Sequence, residues 1–245
     1  MPTRRHRTIA VALAGALLAA IPMPSAAARP APAGPSTISF SGMTWEVKAY
    51  NRKIGPGPNF FAAENVSVDP SGRLHLRISQ SGRKWTVAEV IGRESLGYGT
   101  YTWRLAAVPE LDPNVVLGLF TWNDAPDFAH REIDIELAKW GNAADPTNAQ
   151  YVVQPWDAPD HDLRWTLPPI QGSTIHSFTW AAGRVDFRST TGGGDLLTAW
   201  SYVGADVPEP GGENPRMNLW LYRGSAPQDG QPVEIVIESF SHTAP

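Results

Sequence analysis

The segment REIDIEL (residues 131–137) interleaves Glu132, Asp134 and Glu136 with Ile133, Ile135 and Leu137. Successive side chains of a β-strand point to opposite faces, so this spacing puts three carboxylates on one face and three hydrocarbons on the other. A strand that needed only a soluble face could use Thr, Lys or Gln and avoid the repulsion among three acids. The pattern predicts a strand with its aliphatic face in a core and its acids on an outer face.

Working outward, similar segments follow on both sides. RLHLRIS (73–79) alternates strictly, with Leu74, Leu76 and Ile78 on one face. WTVAEVIG (85–92), GTYTWRLAAV (99–108) and NVVLGLFTW (114–122) precede the acidic segment; AQYVVQPW (149–156), TIHSFTWAA (174–182), RVDFRST (184–190), RMNLWLYRG (216–224) and VEIVIESFSHT (233–243) follow it. Each reads as a strand, and Gly183 marks a hairpin between two of them. No segment keeps a helical period over three turns, and no repeat or composition break divides the chain. Ten or more strands in one chain pack as two sheets or close as a barrel. The expectation is a single all-β domain over residues 37–245, a sandwich of two antiparallel sheets.

Composition agrees. The 245 residues include 22 Gly and 23 Pro, which suit many short strands joined by turns, and no Cys, which excludes disulfides and thiolate metal sites. Arg4, Arg5 and Arg7 precede an apolar run from Ile9 to Ile21, and Ser25–Ala28 offers small residues with A-x-A spacing. That is the pattern of a signal peptide over residues 1–28, and the run is short for the ~20 apolar residues that span a bilayer. The chain is therefore expected to be exported, with RPAPAGPS (29–36) as an extended Pro-rich linker. Cleavage leaves 17 basic against 24 acidic residues, a net charge of −7. Such a surface argues against nucleic acid and against an anionic membrane as partners.

The acidic strand face admits several readings: a solvated face, a cation site such as calcium, pairing with neighbouring Arg or Lys, or paired-carboxylate catalysis. Glutamates at i and i+4 lie about 13 Å apart at Cα, but their length and sheet curvature let the carboxyl groups converge. In a retaining glycosidase one carboxylate attacks the anomeric carbon and the other protonates the departing oxygen, with the two groups ~5–5.5 Å apart. Clustered acids cannot all ionise easily, so one keeps the proton a general acid needs.

The surrounding segments distinguish these readings. EIDIE (132–136), AEVIGRESLGYGTYTWRL (88–105), VVLGLFTW (115–122), TIHSFTWAAGRVDFRS (174–189) and RMNLWLY (216–222) together resemble glycoside hydrolase family 16, the laminarinases, lichenases and agar- or carrageenan-degrading enzymes, in the family's order. The resemblance implies a concanavalin A-like jelly roll and a secreted, monomeric endo-glycosidase acting on a β-linked polysaccharide. It implies Glu132 as nucleophile, Asp134 as its assisting carboxylate and Glu136 as general acid/base. It also places Glu89, Phe120, Trp122, Asn218 and Trp220 along the substrate cleft, where indoles stack on sugar faces and polar groups meet hydroxyls. Parity supports part of this: Trp220 shares a face with Asn218, and Phe120 with Trp122. His130 shares parity with Glu132, and Gln154 and Trp140 are further substrate candidates. Gln150 and Trp156 share Gln154's face, while the sequence does not assign Trp103, Trp165 or Trp180. His130 and Arg131 stand where many family members carry a tryptophan, which leaves the substrate open. No cofactor is implied; a structural calcium is compatible with the family, but no ligands for it can be named. The alternative is a sandwich that binds carbohydrate without cleaving it, although loss of chemistry normally removes one of the three acids.

Overall fold

A computed structural model describes residues 37–245, so the signal-peptide and linker expectations lie outside the described residues. Among these residues the chain forms sixteen strands. The first eight are β1 (Thr37–Phe40), β2 (Met43–Val47), β3 (Val66–Val68), β4 (Leu74–Ser81), β5 (Lys84–Thr86), β6 (Ala88–Gly92), β7 (Gly99–Leu105) and β8 (Val115–Trp122). The second eight are β9 (Ile133–Ala138), β10 (Ala149–Val153), β11 (Asp162–Trp165), β12 (Thr174–Ala181), β13 (Arg184–Thr191), β14 (Leu196–Val203), β15 (Asn214–Leu221) and β16 (Val233–Thr243). One sheet runs β1-β2-β6-β15-β8-β9-β10-β11 and the other β14-β13-β12-β7-β16-β4-β3, with β5 paired to β4. All pairings between these strands are antiparallel. This is the expected two-sheet jelly-roll sandwich.

The aliphatic face of the acidic strand seals the core. Ile133 and Ile135 are fully buried and Leu137 nearly so, beside Leu117, Leu119, Met217 and Leu219 from β8 and β15. Aromatic residues bridge the sheets: Trp45 of β2 meets Phe240 of β16 edge-on at 5.3 Å, and Tyr151 of β10 stacks on Phe187 of β13 at 4.8 Å. Trp103, Trp165 and Trp180 all belong to this core. Each fully buried aliphatic side chain contributes roughly 1.5–3 kcal/mol of transfer free energy.

Two expectations change. Residues 85–92 are not one strand, because the chain crosses from one sheet to the other at the buried Val87, between β5 and β6. The only local mark of the crossover is the apolar pair Val87-Ala88, both fully buried, which a continuous buried strand would also carry. Residues 128–131 do not extend the acidic strand backwards: Phe128, Ala129, His130 and Arg131 have φ of 50, 48, 65 and 54°. This is one left-handed turn built from L-residues, a conformation that costs roughly 1–2 kcal/mol per residue. Thr121 Oγ1 donates to the Arg131 carbonyl at 2.8 Å, and the Arg131 Nε donates to the Glu209 carbonyl at 2.8 Å, which helps hold it.

Candidate active site

Strand register builds a polar row straight across the outer face of the first sheet. Reading from β11 to β6, the paired residues are Arg164, Gln150, Glu136, Gly118, Asn218 and Glu89. The neighbouring row carries Asp134, Phe120, Arg216 and Ile91. A groove of about 710 Å³ lies over these rows, lined by all three acids of the motif together with Glu89, Phe120, Trp122, Asn218 and Trp220. Gly118 gives the groove its depth. A Cβ there would stand 2.5 Å from Asn218 Oδ1.

The acids face outward but not into bulk water. Asp134 is 3% exposed and Glu89 1%, because Phe120, Asn218, Gln150 and Trp220 on adjoining strands close around them. Burial is the largest cause raising the carboxyl groups of Glu132 and Glu136, each from 4.5 to about 8. Repulsion by Glu136 adds to the first and repulsion by Asp134 to the second. Asp134 is raised well above its ordinary value, first by burial and then by Glu132. Interaction with Asp134 partly offsets the rise of Glu132, and the same contact pushes Asp134 further up. Gln154 Nε2 donates to Asp134 Oδ2 at 3.0 Å, so this candidate touches the acid cluster itself.

Other candidates take places that parity alone did not define. Glu89 lines the groove, yet Lys48 Nζ lies 2.7 Å from one of its oxygens and Arg216 Nη1 3.7 Å from the other. It is the counter-ion of two cations as well as a groove wall. Asn218 Oδ1 is buried with no hydrogen-bond partner, packed over Gly118. His130 does not share the strand face of Glu132, since it sits in the left-handed turn. Its ring stacks on Trp122 at 4.1 Å with 7° between the planes, and Nδ1 donates to the Asn123 carbonyl. One face of Trp122 is thereby covered. Trp140 is not among the groove-lining residues: its indole N–H donates to Gln150 Oε1 at 3.1 Å, and its ring meets Trp220 and Tyr222 at 6.0 and 5.6 Å.

Three residues of the site, Gly118, Arg216 and Lys48, escaped the sequence reading, and a fourth, Gln150, was placed on the right face. Gly118 shares parity with Phe120, and Arg216 with Asn218, so the signal for both was present. Gln150 sat on the assigned face but without a partner. Lys48 continues the polar face of β2 after Thr44 and Glu46, so its parity too was present, without a partner to mark it. Among the described residues no group of three or more His, Asp or Glu side chains is arranged to hold a metal ion. A second groove of about 370 Å³ lies among Leu111, Leu137, Leu167 and Ile170, away from the acids.

No family model and no curated protein matches this sequence. Solved structures do. A Bacillus licheniformis β-glucanase superposes with a TM-score of 0.64 at 19% identity, covering 88% of this chain and 100% of its own. A family 16 glycoside hydrolase of Bacteroides ovatus in complex with a glucan product superposes with a TM-score of 0.64 at 14% identity, covering 81% and 94%. Rv0315 of Mycobacterium tuberculosis, an immunostimulatory antigen and pseudo β-1,3-glucanase, gives 0.59 at 22% identity, covering 81% and 89%. With the two-sheet topology already described, these likenesses identify the architecture of the chain as the glycoside hydrolase family 16 fold of the laminarinase and lichenase type.

Proposed function

We propose that this chain is an exported endo-glycosidase that cleaves a β-glucan with retention of anomeric configuration. One observation carries the reading: all three acids of the EIDIE strand line a single open groove, raised by burial and mutual repulsion, beside aromatic walls and an unpartnered amide oxygen. Sugar rings need apolar faces to stack on and acceptors for their hydroxyls, and this groove offers both. The named activities of the β-glucanases that share the fold support the substrate class. The Arg-rich start and apolar run of residues 4–21 support export. The chain acts as a monomer and needs no cofactor for the chemistry.

The reaction is a double displacement. The Glu132 carboxylate attacks the anomeric carbon as the glycosidic C–O bond breaks, and the Glu136 proton passes to the departing oxygen. Water then attacks the glycosyl ester, Glu136 takes its proton, and the sugar leaves with Glu132 restored as carboxylate. Asp134 partly offsets the burial that holds the Glu132 proton, and so supports the carboxylate that the attack requires.

A second reading has one observation behind it, namely that the fold is shared with a protein described as a pseudo β-1,3-glucanase. In that reading the groove binds glucan and does not cleave it. Incubation of the protein with a panel of β-glucans, with NMR of the anomeric products, separates the two. The expected result is β-anomeric product, lost in Glu132→Gln while glucan binding persists. Binding without cleavage by the wild-type chain supports the second reading, and an inverted product refutes the mechanism.

A further inference from the structure

Glu136 is held by a chain of donors that reaches across two further strands. Gln150 Nε2 donates to Glu136 Oε2 at 2.6 Å. The orientation of that amide is determined, because Gln150 Oε1 accepts from both the Trp140 indole N–H and Arg164 Nη1, each at 3.1 Å, and neither partner has an acceptor to offer. Arg164 is itself fixed by Asp145 Oδ2 at 2.9 Å and by Thr147 Oγ1 at 3.0 Å. Among the described residues no side chain donates to the other oxygen of Glu136, and Glu136 lines the groove.

We propose that Trp140, Gln150 and Arg164 form a relay that clamps one oxygen of Glu136 and presents the other to the glycosidic oxygen, making Gln150 a positioning residue for proton transfer. The proposal rests on the assignment of Glu136 as general acid/base. It also gives Trp140 a role that needs no contact with substrate. The clamp sets two properties together. It fixes the direction of proton delivery, and it stabilises the ionised form, which opposes the upward push of burial. The charged groups acting on Glu136 from its own segment are Asp134 and Glu132, and Arg164 acts from β11. In the same row β8 presents Gly118 and β15 presents Asn218, neither of which titrates.

The test is the pH dependence of kcat/KM for Gln150→Met and Trp140→Phe on a β-glucan and on a nitrophenyl β-glycoside. The nitrophenolate leaves with little protonation. Loss of the clamp is expected to move the alkaline limb up by about one pH unit in Gln150→Met, and less in Trp140→Phe. The rate should fall at least tenfold more on the glucan than on the aryl glycoside. Arg164→Met should reproduce the shift and Arg164→Lys should reverse part of it. An unmoved alkaline limb, or equal losses on the two substrates, overturns the relay. If Gln150→Met does not fold, Trp140→Phe decides. If the wild-type chain cleaves neither substrate, the proposed function fails separately. The relay is then read from the carboxyl ¹³C titration of Glu136, assigned with Glu136→Gln, whose midpoint must rise in Trp140→Phe.

Discussion

Glu132→Gln should make the folded protein more stable at pH 8 and change it little at pH 5. The side chain lies in the groove with its carboxyl raised from 4.5 to about 8, burial being the main cause. Between those values the native state keeps a proton that the unfolded chain has released. The native state therefore binds more protons, and stability falls as pH rises through that window. At about 1.4 kcal/mol per pH unit, moving the group from 4.5 to about 8 costs a ceiling of ~5 kcal/mol above pH 8. Protein relaxation and water reduce this; a net gain of ~2 kcal/mol for the neutral amide is a reasonable expectation. For a domain of this size that equals roughly 4–8 °C in Tm. Thermal unfolding of both proteins at pH 5, 6, 7 and 8 measures it. His176, whose burial lowers it to about 4, adds stability as pH rises toward 6.5, but it does so equally in both proteins and cancels in the difference. A Tm difference that is the same at pH 5 and pH 8 would refute the reasoning. The expected difference, growing from pH 5 to pH 8, marks the buried acid as a stability cost retained for chemistry.

Three other perturbations follow from the geometry. Gly118→Ala places a methyl group 2.5 Å from Asn218 Oδ1; it should cost about 1–3 kcal/mol in urea unfolding and raise KM for glucan. Lys48→Met leaves the buried Glu89 with only Arg216 at 3.7 Å, and should cost roughly 3–5 kcal/mol, most of it recovered by adding Glu89→Gln. His130→Ala removes the stack on Trp122, should cost about 1 kcal/mol, and should red-shift tryptophan emission as the indole gains water.

The core face of nearly every strand was legible because alternation is a local property. Ile133 and Ile135, or Leu219 and Leu221, announce their burial within a few residues. Three features were hidden for the same reason. The crossover at Val87 leaves only two successive buried apolar residues, Val87 and Ala88, a pattern that a single strand buried on both faces also shows. The left-handed turn at 128–131 contains no glycine, and contacts with residues 121, 122, 123 and 209 sustain it. His130 consequently turned up against Trp122, where strand parity had set it beside Glu132. Trp140 and Glu89 look like sugar contacts in the sequence, yet their hydrogen-bond partners, Gln150 and Lys48, lie 10 and 41 residues away.

By itself, then, the sequence determined that this protein is a two-layer β-sandwich with three acids on one outward strand face. Hydrophobic period and residue type suffice for that, since both act through nearest neighbours. The tertiary structure decided what those acids face and how they titrate. Register brings Gln150, Gly118, Asn218 and Glu89 into line with Glu136 from four other strands, and their burial raises the carboxyl groups. Desolvation and hydrogen bonding depend on groups distant in the chain, which no alternation pattern encodes.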